Sequence, residues 1–227
     1  MTKIEVHKRI EETGIIPAVR ASSAEDARFA AETVSRGGIP IVEITMTVPE
    51  ALEVITQLLK STPEMIVGAG SILDVETARR CVDAGAQFLT TDGLVLKVVE
   101  FAVKEHIAVF PGVLTPSEVI EAWAAGSDFV KVVPCAAVGG DSYIRSLNAA
   151  LPQVPLIAAG GVNQLTALNF ILSGATALGV GRELIPKEAI RLRQSDRIVE
   201  LSRRFLSFVN NGRVQAAARR ESIWPKQ

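Results

Sequence analysis

The sequence predicts an α/β fold, a single-domain (β/α)8 TIM barrel with an extra helix at its N-terminus. From residue 15 onward one unit recurs: a short apolar run, a turn containing Gly, Pro, Ser, Thr or Asp, and an amphipathic stretch rich in Ala and Leu. Hydrophobic residues make up 48% of the chain and aromatic residues 5%, so the core must be mostly aliphatic, as in parallel sheets covered by helices. The 227 residues suit one such barrel.

Eight apolar runs are the predicted strands. They cover residues 15–19, 41–45, 65–67, 88–90, 108–110, 129–133, 156–158 and 177–180. Successive runs begin about 20 to 27 residues apart, which is the length of one strand and one crossover helix. An open doubly wound sheet shares this local pattern, but eight units without a change of composition favour closure into a barrel.

Capping residues mark the predicted helices between the strands. Helix starts are indicated by Ser22 and Ser23, Asp74, Thr115 before Pro116, and Asn163. Helix ends are indicated by Gly37 and Gly38, Gly85, Gly126 and Gly174.

The two ends of the chain are predicted to lie outside the barrel proper, which spans about residues 15–190 of a single domain, 1–227. Residues 4–13 should form a helix over the barrel bottom. In the C-terminal part, 191–227, residues 195–209 should form a terminal helix, followed by a basic tail in which Trp224 is a candidate for packing on a neighbour.

Charge and cysteine content exclude several classes of partner. The formal net charge is −1, from 24 basic and 25 acidic residues, so we expect no binding to nucleic acid or to an anionic membrane surface. No apolar run approaches the length of a membrane span. The two cysteines, Cys81 and Cys135, and two histidines indicate neither a disulfide framework nor a metal site. We therefore expect a cytoplasmic protein that acts on a small molecule.

Two ionisable residues, Glu43 and Lys131, lie in the middle of apolar runs. Because side chains alternate along a strand, Glu43 should share a face with Ile41, and Lys131 with Phe129, opposite the residues that suit the helix side. Both side chains would then point into the barrel lumen. Active sites of such barrels lie at the C-terminal ends of the strands, so this pair marks the candidate catalytic site.

The chemistry expected of this pair is nucleophilic catalysis. Burial favours the neutral amine of Lys131, which can attack a ketone, while Glu43 transfers protons beside it. The alternative is a structural ion pair, but buried charges are costly to keep for stability alone.

Other strand ends supply candidate binding residues. Gly160 and Gly161 follow the seventh strand and Gly181 follows the eighth, the usual position of a phosphate site in these barrels. Each glycine turn alone is also compatible with an ordinary loop. Arg20, which follows the first strand, is a candidate for binding a substrate carboxylate, with an ordinary surface arginine as the alternative. Ser71 adds a hydroxyl donor after the third strand.

Five motifs in this order resemble those of a known enzyme family. They are VEITMTVP at 42–49, GAGS at 68–71, FPGVLTP at 110–116, VKVVP at 130–134 followed by GG at 139–140, and GGV at 160–162. The chain, from about residue 15 to 186, resembles the 2-keto-3-deoxy-6-phosphogluconate (KDPG) and 4-hydroxy-2-oxoglutarate (KHG) aldolases, which are class I aldolases.

The resemblance implies a homotrimeric lyase that needs no metal or cofactor and cleaves a keto acid to pyruvate and an aldehyde. It makes Lys131 the imine-forming lysine and Glu43 the general acid and base. Strand-end position and resemblance together give the candidate substrate-binding residues, which are Arg20, Thr47, Ser71, Pro111, Gly160, Gly161, Gly181 and Arg182.

Several positions depart from the family pattern. Some members carry Arg at the position of Thr47, which makes Arg20 the candidate carboxylate clamp here. Asp92 stands where the family has a proline, and there an anion should repel a substrate carboxylate unless it turns away or pairs. Arg182 and Glu183 replace small residues after the eighth strand.

Two rival functions remain open from the sequence. A phosphosugar isomerase, epimerase or decarboxylase on the same barrel would share the glycine turns without an imine. A diverged, inactive ligand-binding homologue is the other, because Asp92 and Arg182 alter the predicted pocket.

Overall fold

The computed structural model describes residues 1–223, which form a barrel of parallel strands surrounded by helices. The strands are β1 Ile15–Val19, β2 Ile41–Thr45, β3 Ile66–Gly70, β4 Phe88–Thr90, β5 Ala108–Phe110, β6 Gly112–Val113, β7 Val130–Val132, β8 Leu156–Ala159 and β9 Ala177–Val180. The helices are α1 Lys3–Thr13, α2 Ala24–Arg36, α3 Ala51–Ser61, α4 Val75–Asp83, α5 Leu96–Lys104, α6 Pro116–Ala124, α7 Asp141–Ala150, α8 Ala167–Leu172, α9 Lys187–Arg191 and α10 Ser195–Ile223, with a 3-10 turn at Cys135–Val138.

The strands form one parallel sheet in the order β5-β4-β3-β2-β1-β9-β8-β7-β6. Its two ends, β5 and β6, are consecutive in the chain and separated only by Pro111, so they form one interrupted strand that closes the barrel. β5 pairs with β4, whereas β6 pairs with β7. Closure is reinforced by the backbone N–H of Lys131, which donates to the carbonyl of Pro111 at 2.9 Å.

The predicted fifth strand, 108–110, is confirmed as β5, but the sequence did not predict β6, in which the strand resumes after Pro111. Proline has no N–H to donate to a neighbouring strand, so the inter-strand hydrogen bonding is interrupted at this residue. The third strand also differs, because it continues through Gly68 to Gly70. The GAG part of the predicted post-strand turn is thus the end of β3 itself.

Side chains of the strands alternate between two hydrophobic layers. Val42, Ile44, Val130 and Val132 belong to the large layer between sheet and helices. The second cluster fills the lumen near the barrel bottom with Val6, Ile10, Ile16, Ile41, Ile66, Phe88, Ala108, Phe110, Phe129, Ile157 and Ala177. This arrangement confirms the predicted faces of β2 and β7. Ile41 and Phe129 occupy the lumen floor, with Glu43 and Lys131 two residues further along the same faces.

Helix α1 closes the barrel bottom, as predicted. Val6 and Ile10 are fully buried against the lumen cluster. The ring of His7 stacks on Phe129, with ring centroids 4.4 Å apart. Lys3 pairs with Asp128 at 3.1 Å. The apolar spacing of residues 6 and 10, one helical turn apart, explains why this segment folds as a helix against the floor.

Most predicted caps are observed, with one shift. The side chains of Ser23, Asp74 and Thr115 cap α2, α4 and α6. The exception is Asn163, whose side chain accepts the N–H groups of Leu165 and Thr166 and so forms a turn before α8 begins.

The terminal helix α10 is longer than the predicted 195–209 segment. It continues through Gly212, which is buried against Ile171 of α8. Tertiary packing of this kind outweighs the weak helix propensity of one glycine. Trp224 lies outside the described residues. Among the helices of residues 1–223, none combines the length and apolarity required to cross a bilayer.

Candidate active site

Lys131 lies at the centre of the lumen. It is the middle residue of β7, and only 6% of its surface is exposed. Its Nζ donates to the hydroxyl of Thr90 at 3.2 Å and lies 3.5 Å from Oδ1 of Asp92. Thr90 was not anticipated, although alternation from Phe88 along β4 would have placed it in the lumen.

Glu43 reaches the same lumen from β2 and is 4% exposed. β2 pairs with β3, and the side chain of Glu43 extends over the end of that strand at Gly70. A methyl group at Gly70 would overlap the carboxylate of Glu43. Glycine at position 70 therefore creates the space that Glu43 occupies, which gives the GAGS motif a physical role.

Asp92 faces Lys131 from the turn after β4, and its side chain is 44% exposed. Burial raises its pKa, but hydrogen bonding from the Ser71 hydroxyl and the positive charges of Lys131 and Arg20 outweigh burial and hold the pKa below its ordinary value. Asp92 is therefore ionised at neutral pH. The sequence indicated that an anion here must turn away or pair, and in the structure it pairs.

One cavity of about 440 Å³ joins most of the predicted site residues. Its lining includes the predicted residues Arg20, Glu43, Lys131, Gly160, Gly161, Gly181 and Arg182, together with Asp92 and Glu183. An adjoining cavity of about 520 Å³ shares Arg20, Gly181 and Arg182 with the first and extends to Lys187. The catalytic candidates thus face a groove that leads outward past two arginines and a lysine and is also lined by Glu183 and Glu188.

Three predicted binding residues do not line this cavity. Ser71 lies behind Asp92 and reaches the site through that carboxylate. Thr47 exchanges a 2.7 Å hydrogen bond with Thr45 and borders a neighbouring depression beside Arg20. Pro111 is buried and contributes its carbonyl to the backbone of Lys131. Its position in the closing strand gives Pro111 a role in placing Lys131.

The glycine turns are shaped by packing as well as by the cavity. A side chain at Gly160 would approach Cα of Pro134 at 2.7 Å, and one at Gly161 would overlap Ala136. No described helix begins directly at these glycines, because α8 starts at Ala167 and α9 at Lys187. Anion binding there would depend on backbone N–H groups without the expected help from a helix dipole.

The cysteines provide no alternative nucleophile. Cys81 and Cys135 are buried and free, and burial raises the pKa of each thiol to about 11. Both thiols are therefore protonated at neutral pH. Within residues 1–223, no three or more His, Cys, Asp or Glu side chains are arranged to bind a metal ion.

Comparison with known proteins gives a consistent result. The family model described as KDPG and KHG aldolase matches residues 6–201. A KHG/KDPG aldolase from Escherichia coli is 28% identical over 190 residues, covering 83% of this chain and 89% of the relative.

Solved structures of similar proteins have the same fold. A KDPG aldolase from Legionella pneumophila, with pyruvate captured as a covalent carbinolamine intermediate, is 28% identical with a TM-score of 0.81, covering 87% of this chain and 96% of the other. A Zymomonas mobilis KDPG aldolase with 3-phosphoglycerate is 25% identical with a TM-score of 0.82, covering 91% and 97%.

Proposed function

The chain belongs to the KDPG and KHG aldolase family, and we propose that its Lys131 and Glu43 carry out the Schiff-base chemistry of a class I aldolase. The reaction is the cleavage of KDPG or KHG to pyruvate and an aldehyde, glyceraldehyde 3-phosphate or glyoxylate. The observation that carries this proposal is one buried lysine and one buried glutamate in the same cavity at the C-terminal ends of the strands.

Lys131 is the nucleophile. Its Nζ first gives a proton to Glu43, and the neutral amine then attacks the C2 carbonyl to form a carbinolamine, the class of intermediate captured in the Legionella pneumophila relative. Loss of water then gives an iminium ion. The backbone of Lys131 is held on one side by β8 and on the other by Pro111, so the amine is presented from a rigid strand.

Glu43 moves the protons. It protonates the departing hydroxyl of the carbinolamine and then accepts the C4 hydroxyl proton as the C3–C4 bond breaks. The electron pair of that bond passes to the iminium nitrogen, which leaves an enamine. Protonation of C3 and hydrolysis by water release pyruvate and regenerate the amine of Lys131.

Three positive side chains line the groove together with Glu183 and Glu188, and they are the groups available to bind an anionic substrate. Arg20 lies across Gly181, where its Nη1 would be 3.5 Å from an added Cβ. Arg182 borders both cavities, and Lys187 lies further out. We assign Arg20 to a carboxylate near the imine and Arg182 to the distal phosphate or carboxylate. In this proposal the backbone N–H groups of Gly160 and Gly161 also bind the substrate, and Ser71 and Thr47 lie at the edge of the binding site.

The assembly and compartment are further parts of the proposal. We expect one barrel domain, a homotrimer, and a cytoplasmic location compatible with two free thiols. Ile120 and Trp123 lie one turn apart on α6 and are 54% and 36% exposed, which supplies an apolar surface for self-association. The balanced net charge supports a small keto acid, not a nucleic acid, as the partner.

The test is a cleavage assay that measures pyruvate release from KDPG and from KHG. Lys131→Ala should abolish turnover of both, and Glu43→Gln should lower kcat by roughly 10²- to 10⁴-fold, the usual contribution of general acid–base catalysis. Normal turnover by folded Lys131→Ala would refute the mechanism and favour an imine-free reaction on this barrel. Absence of turnover in the unmodified protein would instead favour an inactive homologue.

A further inference from the structure

Asp92 and Glu183 are the charged groups of the cavity that the proposed mechanism does not use, and Asp92 is the one that contacts Lys131. Its Oδ1 is 3.5 Å from Nζ of Lys131, and Arg20 lines the same cavity. Lys131 and Arg20 both line the cavity, so they are also the positive groups that a substrate carboxylate beside Lys131 would meet. In the structure, the carboxylate of Asp92 already lies beside these positive groups.

The turn that carries Asp92 is fixed to the barrel. The N–H of Gly112 in β6 donates to Oγ1 of the buried Thr91 at 3.0 Å, and that hydroxyl donates to the carbonyl of Gly93 at 2.6 Å. The backbone of Asp92 packs directly against Gly112, where an added Cβ would come within 2.6 Å of it. Backbone movement of Asp92 away from Lys131 would break this arrangement.

Ser71 is held toward Asp92 in a similarly constrained way. Its backbone has a φ of 58°, in the left-handed region that residues with a Cβ seldom adopt. Its neighbour Ile72 donates its N–H to the carbonyl of Thr90, the residue that also binds Nζ of Lys131. Backbone strain of this kind persists where surrounding contacts enforce it.

When a ketone forms an imine with Lys131, the group attached to the imine carbon lies close to Asp92. In a 2-keto acid, the carboxylate carbon is two bonds from the imine nitrogen, so its charge competes with Asp92 for Arg20 and is repelled by Asp92. A hydroxymethyl group at the same position has no charge and can donate a hydrogen bond to the carboxylate.

We propose that Asp92 is a specificity-determining residue that weakens binding of 2-keto acids at Lys131 and gives the enzyme a further activity with hydroxyketone donors. This inference rests on the proposed function, since it requires an imine at Lys131. Keto acids are still substrates because Arg20 and the backbone glycines also bind anions, but their affinity is lower than the same barrel would give without the Asp92 charge.

The proposed activity with hydroxyketones uses the same imine and enamine steps as the cleavage reaction. Lys131 and the ketone form an iminium ion and release water, and loss of a proton from the adjacent carbon gives the enamine. The enamine adds to an aldehyde, with a proton transferred to the new alkoxide, and hydrolysis releases the product. Hydroxyacetone is the simplest donor of this class and is the probe we choose.

The experiment compares borohydride trapping of pyruvate and of hydroxyacetone over a range of concentrations, with the two adducts separated by mass. The unmodified protein should form both adducts at Lys131. Asp92→Asn should lower the half-saturating concentration of pyruvate and raise that of hydroxyacetone, changing their ratio by about tenfold or more, equivalent to about 1.4 kcal/mol. Asp92→Ser serves as a second variant if the amide destabilises the turn.

Asp83→Asn is the matched control, because it makes the same chemical change on the exposed end of α4. Its adduct ratio should equal that of the unmodified protein. Trapping of pyruvate alone, or an unchanged ratio in the Asp92 variants, would overturn the inference and leave the proposed function standing. No adduct with either compound would overturn the proposed function and the inference together.

Discussion

Lys131 and Glu43 share a lumen but are placed there by different neighbours. Lys131 is fixed by Thr90 and Asp92, whereas Glu43 depends on the space over Gly70. Both residues could be identified from the sequence because an ionisable side chain within an apolar strand is unusual. Thr90 could not be singled out as easily, since a threonine at the end of a strand is common.

Gly70→Ala tests the space that Glu43 occupies. The added methyl group must displace the carboxylate, so we expect kcat to fall toward the value of Glu43→Gln while KM for the keto acid changes little. Steady-state kinetics measures both parameters, and circular dichroism checks that the barrel is folded. An unchanged kcat in a folded Gly70→Ala protein would show that the position of Glu43 is unimportant.

The ionisation of Asp92 predicts a pH dependence of stability. Its folded pKa is below the ordinary value of 3.8, so the ionised carboxylate stabilises the fold at every pH above that value. This contribution is lost as pH falls through the lower, folded pKa. The difference in unfolding free energy between the unmodified protein and Asp92→Asn should therefore be constant from pH 7 to about pH 5 and shrink below about pH 4.

Denaturant unfolding of both proteins across this pH range provides the measurement. Asp83→Asn is again the control, because an exposed carboxylate without a described ion pair should give a far smaller pH-dependent difference. A difference for Asp92→Asn that grows as the pH falls from 5 to 3 would contradict the assigned ion pair.

At the scale of elements, α1 shows how packing explains a helix outside the repeat. Its N-cap Thr2 and Glu5 form a capping box, and Val6 and Ile10 enter the lumen floor. The apolar positions predicted the helix. Contact between His7 and Phe129 depends on how the helix is oriented over the barrel, which sequence periodicity does not specify.

Ile10→Ala should destabilise the protein by about 2–5 kcal/mol, because it leaves a cavity at a fully buried site. Ile4→Ala on the same helix is the matched control: Ile4 is 80% exposed, and its replacement should change stability by less than about 0.5 kcal/mol. Chemical denaturation gives both values. Equal effects of the two substitutions would mean that α1 does not seal the floor.

Element boundaries were less predictable than element identity. The fifth strand was expected to stop before Pro111, yet the chain continues as β6 and pairs with β7 to close the barrel. Likewise α10 continues beyond residue 209 because Gly212 packs on α8. Both differences arise from contacts between segments distant in sequence, which local propensity does not predict.

For the whole molecule, the sequence predicted the barrel and the faces on which the residues of β2 and β7 lie. The repeat of apolar run and helix allowed few other folds. The sequence predicted only some of the residues that line the cavity. Arg20, Glu43 and Lys131 line one cavity, as expected. Thr47 and Ser71 do not line it, and Asp92 is the residue that pairs with Lys131. Side-chain pairing of this kind depends on three-dimensional distances that motifs do not encode.

The most direct test of the central claim is peptide mass spectrometry after incubation with pyruvate and borohydride. We predict a reduced pyruvate adduct confined to the peptide that contains Lys131, and loss of that adduct in Lys131→Ala. Absence of an adduct in the folded protein, or an adduct on another lysine that persists in Lys131→Ala, would contradict the assignment of Lys131 as the imine-forming nucleophile.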